Sequence, residues 1–317
     1  MRVARYRDGG AIRVALVEGE TLRPLPEGTE VLALLNTDAG ERAAIAAQAG
    51  PAVPLDRTAL ASPLEPRAMR DFVAFEKHVQ GVNSTVGGGD AGVPEAWYEA
   101  PVFLFMNPHS LTDPFADIPM PPFTQALDFE LEVAAIVGRR VRDASPEDAA
   151  SLIVGYAVFN DWSARDVQRR EMQVHLGPSK GKDFANTLGP WITTPDELEP
   201  WRTADRYDLQ MQVSVNGRRI GGESLATLGW SFPEMLVHAS RDAWVGAGDV
   251  LATGTVGGGA LAEWWSRRGE QSPPPLQVGD VVTMTVDGLG TIENRIVPGT
   301  SPGHRAPEAR RLAPGDA

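Results

Sequence analysis

Two short acidic stretches carry the chemistry most visible in this chain: Asp128-Phe129-Glu130-Leu131-Glu132 and Asn160-Asp161-Trp162-Ser163-Ala164-Arg165-Asp166. Each places carboxylates inside a run that otherwise reads as buried strand. Glu130 and Glu132 are two apart, so on a strand they point to one face. Asp161 follows the apolar run 153–159. Three carboxylates converging without a counter-charge would repel one another and would be costly to desolvate. A hard divalent cation removes that cost, because it prefers oxygen ligands, and Mg²⁺ keeps positions open for water or substrate. The pattern therefore points to a metal site on Glu130, Glu132 and Asp161. Two plainer readings stay open: an edge strand with Phe129, Leu131 and Val133 inward and the acids in solvent, or Asp161 as a turn or helix-cap residue.

Other residues could act beside such a site. His78 follows Asp71 by seven residues, two helical turns, so a helix would carry both on one side. The stretch 83–92, with Gly87-Gly88-Gly89, comes directly after and could act as a lid. Lys182, in Gly177-Pro178-Ser179-Lys180-Gly181-Lys182-Asp183-Phe184, lacks phosphate-loop spacing. It reads either as part of a solvated turn or as a cation for an anionic substrate. Arg165 and Gln168 are three apart, so a helical turn presents both on one side, for a substrate carboxylate or for solvent. Thr253-Gly254-Thr255-Val256-Gly257-Gly258-Gly259 offers hydroxyls and bare amides to a ligand oxygen, or makes a tight turn. Glu263 precedes Trp264 and Trp265, and an acid beside two indoles has a raised pKa or a His partner.

These side chains need a scaffold, and the chain is long enough for one large domain or two modest ones, with 317 residues. Residues 1–66 read as a small β-rich domain. It holds a hairpin, 11–18 with 20–23 turning at Gly19, a short helix within 37–49, and a linker marked by Pro51, Pro54, Pro63 and Pro66. The next part, 67–298, opens with Phe72, Phe75 and Val79 at helical spacing, which predicts a helix over 71–79. Strand-like runs then follow at 133–137, 153–159, 211–215 and 281–286. Asn216-Gly217 signals a hairpin turn. Ser145-Pro146-Glu147-Asp148 signals a helix start, with Ser as cap and Pro in the first turn. The tail 299–317, rich in Pro, Gly, Arg and Ala, is expected to be disordered. This mixture predicts a β-rich α+β fold and not alternating βαβ units.

Composition narrows the partners. A net charge of -13 disfavours nucleic acid, whose phosphates need clustered Lys and Arg. No run approaches the roughly 18 apolar residues that span a bilayer. The start Met1-Arg2-Val3-Ala4-Arg5-Tyr6-Arg7 lacks the apolar core of a signal peptide. The absence of cysteine excludes disulfides and thiolate metal sites, and it fits a cytoplasmic location.

Taken together, Asp71-Phe72 through His78, 128–132, 160–166 with Gln168, Gly181-Lys182 and Thr253-Gly254-Thr255 resemble the fumarylacetoacetate hydrolase family over residues 66–297. All five motifs stand in the family's order, and Asn-Asp-Trp-Ser-Ala-Arg-Asp is highly specific. The resemblance implies a mixed β-roll with a small N-terminal domain, assembled as a homodimer. It implies metal ligands at Glu130, Glu132 and Asp161, with Asp71 as a fourth, for Mg²⁺ or alternatively Mn²⁺ or Ca²⁺. It further implies that His78 is the catalytic base, oriented by Glu263, and that Lys182, Arg165, Gln168 and Thr255 stand on the substrate side. The implied activity is hydrolytic cleavage of a carbon–carbon bond in a 1,3-diketone or acylpyruvate. Decarboxylation or isomerisation of 2-oxo acids in the same site is the alternative, and a non-catalytic small-acid binder is a second one. The chain departs from fumarylacetoacetase-like members at Met172 and within 97–107, where no Tyr matches their aromatic hydroxyls. Asn186 also replaces a Thr common near the metal.

Overall fold

The computed structural model describes residues 1–82, 92–300 and 302–310. The strands that matter for the site are, in chain order, Arg2–Asp8 (β1), Ala11–Glu18 (β2), Thr21–Pro24 (β3), Met69–Phe72 (β4), Phe103–Met106 (β5), Leu131–Val137 (β6), Ile153–Asp161 (β7) and Asn186–Thr193 (β8). They continue with Met211–Val215 (β9), Val250–Ala252 (β10), Val281–Val286 (β11) and Gly290–Val297 (β12). One large mixed sheet has the order β3-β2-β1-β8-β7-β6-β10-β4-β5, and a second has β9-β11-β12 at its centre. The expected β-rich α+β architecture is what the chain adopts. Among the described residues, no helix is long and apolar enough to cross a membrane.

Strand β6 is buried along its whole length, so both faces of the large sheet are covered. Val133, Ala135 and Val137 face the second sheet and share a core with Met211, Val213, Val282 and Met284. Ala134 and Ile136 face the other way, into a core with Met69, Phe159, Leu188 and the helical residues Leu34 and Leu35. Period-2 alternation then assigns Asp71, Glu132, Asp161 and Asn186 to this second face, because each lies two residues from one of those apolar positions.

The pairing brings the strand ends together. β6 and β7 are antiparallel, with Glu132 opposite Phe159. β7 and β8 are antiparallel, with Asp161 opposite Asn186. β10 is antiparallel to β6, and β4 runs parallel to β10 with Asp71 opposite Ala252. Consequently the starts of β6 and β8 and the ends of β4, β7 and β10 share one edge.

The hairpin at Gly19, the Asp38-capped helix Ala39–Ala46, the Ser145-capped helix Pro146–Ala149 and the turn at Asn216-Gly217 all form where the local sequence signals place them. The reading of 71–79 as one helix is corrected. Asp71 lies on β4, and the helix Glu76–Val82 (α1), which carries His78, begins only at Glu76. Phe72, Phe75 and Val79 are all buried, so three buried positions along a strand, a bend and a helix imitate helical spacing. The strand is set by its neighbours β10 and β5, which lie far away in sequence. β1 pairs with β8, so the first strands of the chain extend the large sheet. The proposed lid glycines Gly87, Gly88 and Gly89 lie outside the described residues, as do positions 301 and 311–317 of the expected disordered tail.

Candidate active site

At the shared strand edge, one carboxylate oxygen from each of Asp71, Glu130, Glu132 and Asp161 lies within 4.8 Å of the others, and all four side chains are buried. The edge-strand reading, with these acids in solvent, is therefore excluded. Two cations face the four acids. Lys182 Nζ donates to Glu130 Oε2 and Asp161 Oδ2. Arg165 Nη2 stands 2.8 Å from Glu130 Oε1 and 2.8 Å from Asp128 Oδ2. Lys182 is only 4% exposed, which excludes its reading as part of a solvated turn. Arg165 opens the helix Arg165–Met172 (α2), and its Nη1 donates to Gln168 Oε1 at 3.1 Å, so the three-residue spacing does place both on one side.

Three buried oxygens, Asp71 Oδ1, Glu132 Oε1 and Asp161 Oδ1, accept no hydrogen bond, and both polar atoms of the buried Asn186 amide also lack a partner. Unsatisfied buried groups of this kind are rare and costly. Burial pushes the Asp71 carboxyl up to about 7, with Glu130 adding to the rise and Lys182 opposing it. Burial also raises Glu132 and Asp161 well above the carboxylate range, and neighbouring acids reinforce it. Burial works the same way on Glu130, but Arg165 and Lys182 outweigh it and hold that carboxyl well below its usual value. Negative charge is thus favoured on Glu130 by its two cations, while burial disfavours it on the other three acids. A hard divalent cation with oxygen ligands fits this set on both counts, the bare oxygens and the missing charge.

His78 lies beside the cluster. Its Nδ1 is 2.9 Å from Glu263 Oε1, and its Nε2 is 3.9 Å from Glu130 Oε1. Glu263 sits in the first turn of the helix Leu261–Arg268 (α3) and is fully buried. Its Oε2 accepts from Gly258 N at 2.8 Å and from Arg267 at 3.1 Å. Of the roles the sequence offered Glu263, the His partner is present.

Gly254 follows β10 with φ +75°, and a Cβ there would meet the Phe72 carbonyl oxygen at 2.2 Å. Only glycine lets its N–H reach Glu132 Oε2, at 3.1 Å. A cavity of about 480 Å³ adjoins the cluster, and its wall includes Asp71, His78, Glu130, Arg165, Gln168, Lys182 and Thr255. Every site residue named from the sequence therefore lines this cavity or, as Glu132, Asp161 and Glu263 do, contacts a residue that lines it.

Sequence reasoning missed the role of Asp128. Its Oδ1 accepts from Leu261 N at 2.8 Å and its Oδ2 from Ala262 N at 3.0 Å, while Arg165 Nε donates to the same Oδ2 at 2.8 Å. It caps α3 from a distant part of the chain. Ala260 at the cap position supplies no side-chain bond of its own, and alanine there was the available signal that a cap must come from elsewhere.

Comparison with known proteins adds four likenesses. Residues 67–297 match the family described as fumarylacetoacetate (FAA) hydrolase C-terminal. The fumarylacetoacetase of Oryza sativa subsp. japonica is 28% identical over 307 residues, covering 78% of this chain and 71% of that protein. The oxaloacetate tautomerase YisK of Bacillus subtilis is 33% identical over 174 residues, covering 55% of this chain and 53% of that protein. The solved structure of a fumarylacetoacetate hydrolase from Exiguobacterium antarcticum superposes with a TM-score of 0.71 at 26% identity, covering 94% of this chain and 99% of that one.

Proposed function

The chain belongs to the fumarylacetoacetate hydrolase family, and from that premise we propose that it hydrolyses a carbon–carbon bond in a 1,3-diketone or acylpyruvate. The observation that carries this reading is the His78–Glu263 pair at 2.9 Å, set beside a cluster of four buried carboxylates of which Asp71 and Glu130 line a cavity. Asp71, Glu130, Glu132 and Asp161 would hold the ion, with Mg²⁺ as the first choice. When bound, a divalent cation supplies Lewis-acid charge that polarises a substrate oxygen and balances negative charge as it develops.

This chain's own residues do the rest. Glu263 accepts the Nδ1 proton of His78, which leaves the Nε2 lone pair towards the cavity to take a proton from water. The resulting hydroxide adds to the carbonyl remote from the 2-oxo acid head. The carbon–carbon bond then breaks, its electron pair passes to the departing enolate, and the attacked fragment becomes a carboxylic acid. His78 returns its proton to the enolate carbon. Lys182 has three N–H donors and spends two on Glu130 and Asp161, so the third remains for an enolate oxygen. Arg165, Gln168 and Thr255 orient the head group from the wall.

The 33% identity to a tautomerase favours a second reading, in which His78 shuttles a proton between carbon and oxygen of a 2-oxo acid without water attack. One experiment separates them. The purified protein is stripped with chelator and reloaded with Mg²⁺ or Mn²⁺. It is then offered acylpyruvates, other 1,3-diketones and oxaloacetate side by side. Metal-dependent release of a free acid from the diketones supports hydrolysis. Turnover of oxaloacetate alone, as enol–keto exchange or loss of carbon dioxide, defeats it.

A further inference from the structure

The hydrolase reading leaves the acyl arm of the substrate open, and the remainder of the cavity wall speaks to it. The charged groups on that wall, Asp71, Glu130, His78, Arg165 and Lys182, all belong to the cluster around the carboxylates. Both cations are engaged there. Arg165 is held by Asp128, Glu130 and Gln168, and Lys182 by Glu130 and Asp161. Apart from Gln168 and Thr255, assigned above to the head group, the side chains of the described wall elsewhere are hydrocarbon: Val79, Val82, Val102, Phe103, Leu104 and Met172 are among them. Trp97 also faces it, and its indole N–H is already spent on the Val73 carbonyl at 2.5 Å.

A second carboxylate on the far end of a substrate would therefore lose water against hydrocarbon and find no counter-charge, which is strongly unfavourable. An alkyl or aryl group there gains from leaving water. We propose that the substrate's acyl arm is uncharged and ends in hydrocarbon, so that the preferred substrates are alkyl- or aryl-terminated acylpyruvates rather than those ending in a carboxylate. The proposal rests on the hydrolase reading but can be tested apart from it.

The test uses the Mg²⁺-loaded protein and two 2,4-dioxo acids of equal length, one ending in methyl and one in carboxylate. Acid release gives kcat/KM, and calorimetry gives binding. The methyl-terminated acid is expected to be favoured on the order of 10²-fold, with roughly tenfold lost for each methylene removed from the arm. Val102 is 55% exposed, so Val102→Arg can place a cation on the wall without disturbing the core. It should narrow the gap by about tenfold, while Val102→Gln, which adds bulk without charge, should not. Equal or reversed preference in the parent overturns the proposal, and so does a gap that Val102→Arg leaves as wide as before. If neither acid is cleaved, the hydrolase reading fails, and binding decides. Tighter binding of the methyl-terminated acid then upholds the apolar arm, and equal or absent binding of both overturns it.

Discussion

Strands β6 and β7 cross the large sheet side by side, and their two ends are equally buried and chemically opposite. At one end Glu132 and Asp161 are both 0% exposed. At the other, Val137 pairs with Ile153 and both sit in the apolar core. Burial at the hydrocarbon end is favourable in itself. At the acidic end it is unfavourable until a counter-charge completes the set. One pair of strands thus carries both the part that holds the fold together and the part that strains against it, and such local conflict is a mark of function.

Substitutions at the two ends should separate these roles. The largest expected effect lies beside the acidic end. His78→Ala should lower kcat by about 10²–10⁴-fold if His78 is the general base. It should leave the rise in Tm on adding Mg²⁺ nearly intact, because His78 is not among the four acids. Steady-state kinetics alongside thermal melts check both halves, and a variant as active as the parent would remove His78 from the mechanism. At the apolar end, Ile136→Ala should lower unfolding free energy by about 2–5 kcal/mol without changing metal affinity. Denaturant titration and calorimetry read this, and a large loss of metal binding would mean that the ends are not separable.

The smallest effect is one of pH. Burial raises the Asp71 carboxyl from 3.8 to about 7, so the folded chain keeps a proton that the unfolded chain has released. Its contribution to stability is therefore present below about pH 4 and is lost as pH rises towards 7. Asp71→Asn removes that dependence. In metal-free buffer the variant's Tm should gain on the parent's between pH 4 and 7, and Mg²⁺ should reverse the order near pH 7. Parallel curves would show that Asp71 keeps an ordinary pKa.

Much of this was legible in the chain itself. The two-residue spacing of Glu130 and Glu132 and the acid that closes the run 153–159 singled out these three carboxylates, while their solvent-facing alternatives stayed open until the strands were seen to bring them together. What stayed hidden depends on partners remote in sequence. Asp71 is on a strand because β10 and β5 flank it, and no local pattern reports them. Lys182 looks solvated among Gly, Ser and Lys, yet Glu130, just before β6, and Asp161, at the end of β7, draw it inside. Asp128 could be seen as acidic but not as the cap of a helix that begins at Leu261.

That last carboxylate has a mechanical consequence. It grips α3, whose Glu263 aims His78, and it grips Arg165, which steadies Glu130. His78 and the buried carboxylate cluster therefore hang from a common peg. A slip of the helix by a fraction of an ångström would misalign proton transfer and charge balance at once, so changes in α3 far from the cavity should disturb both together and seldom only one.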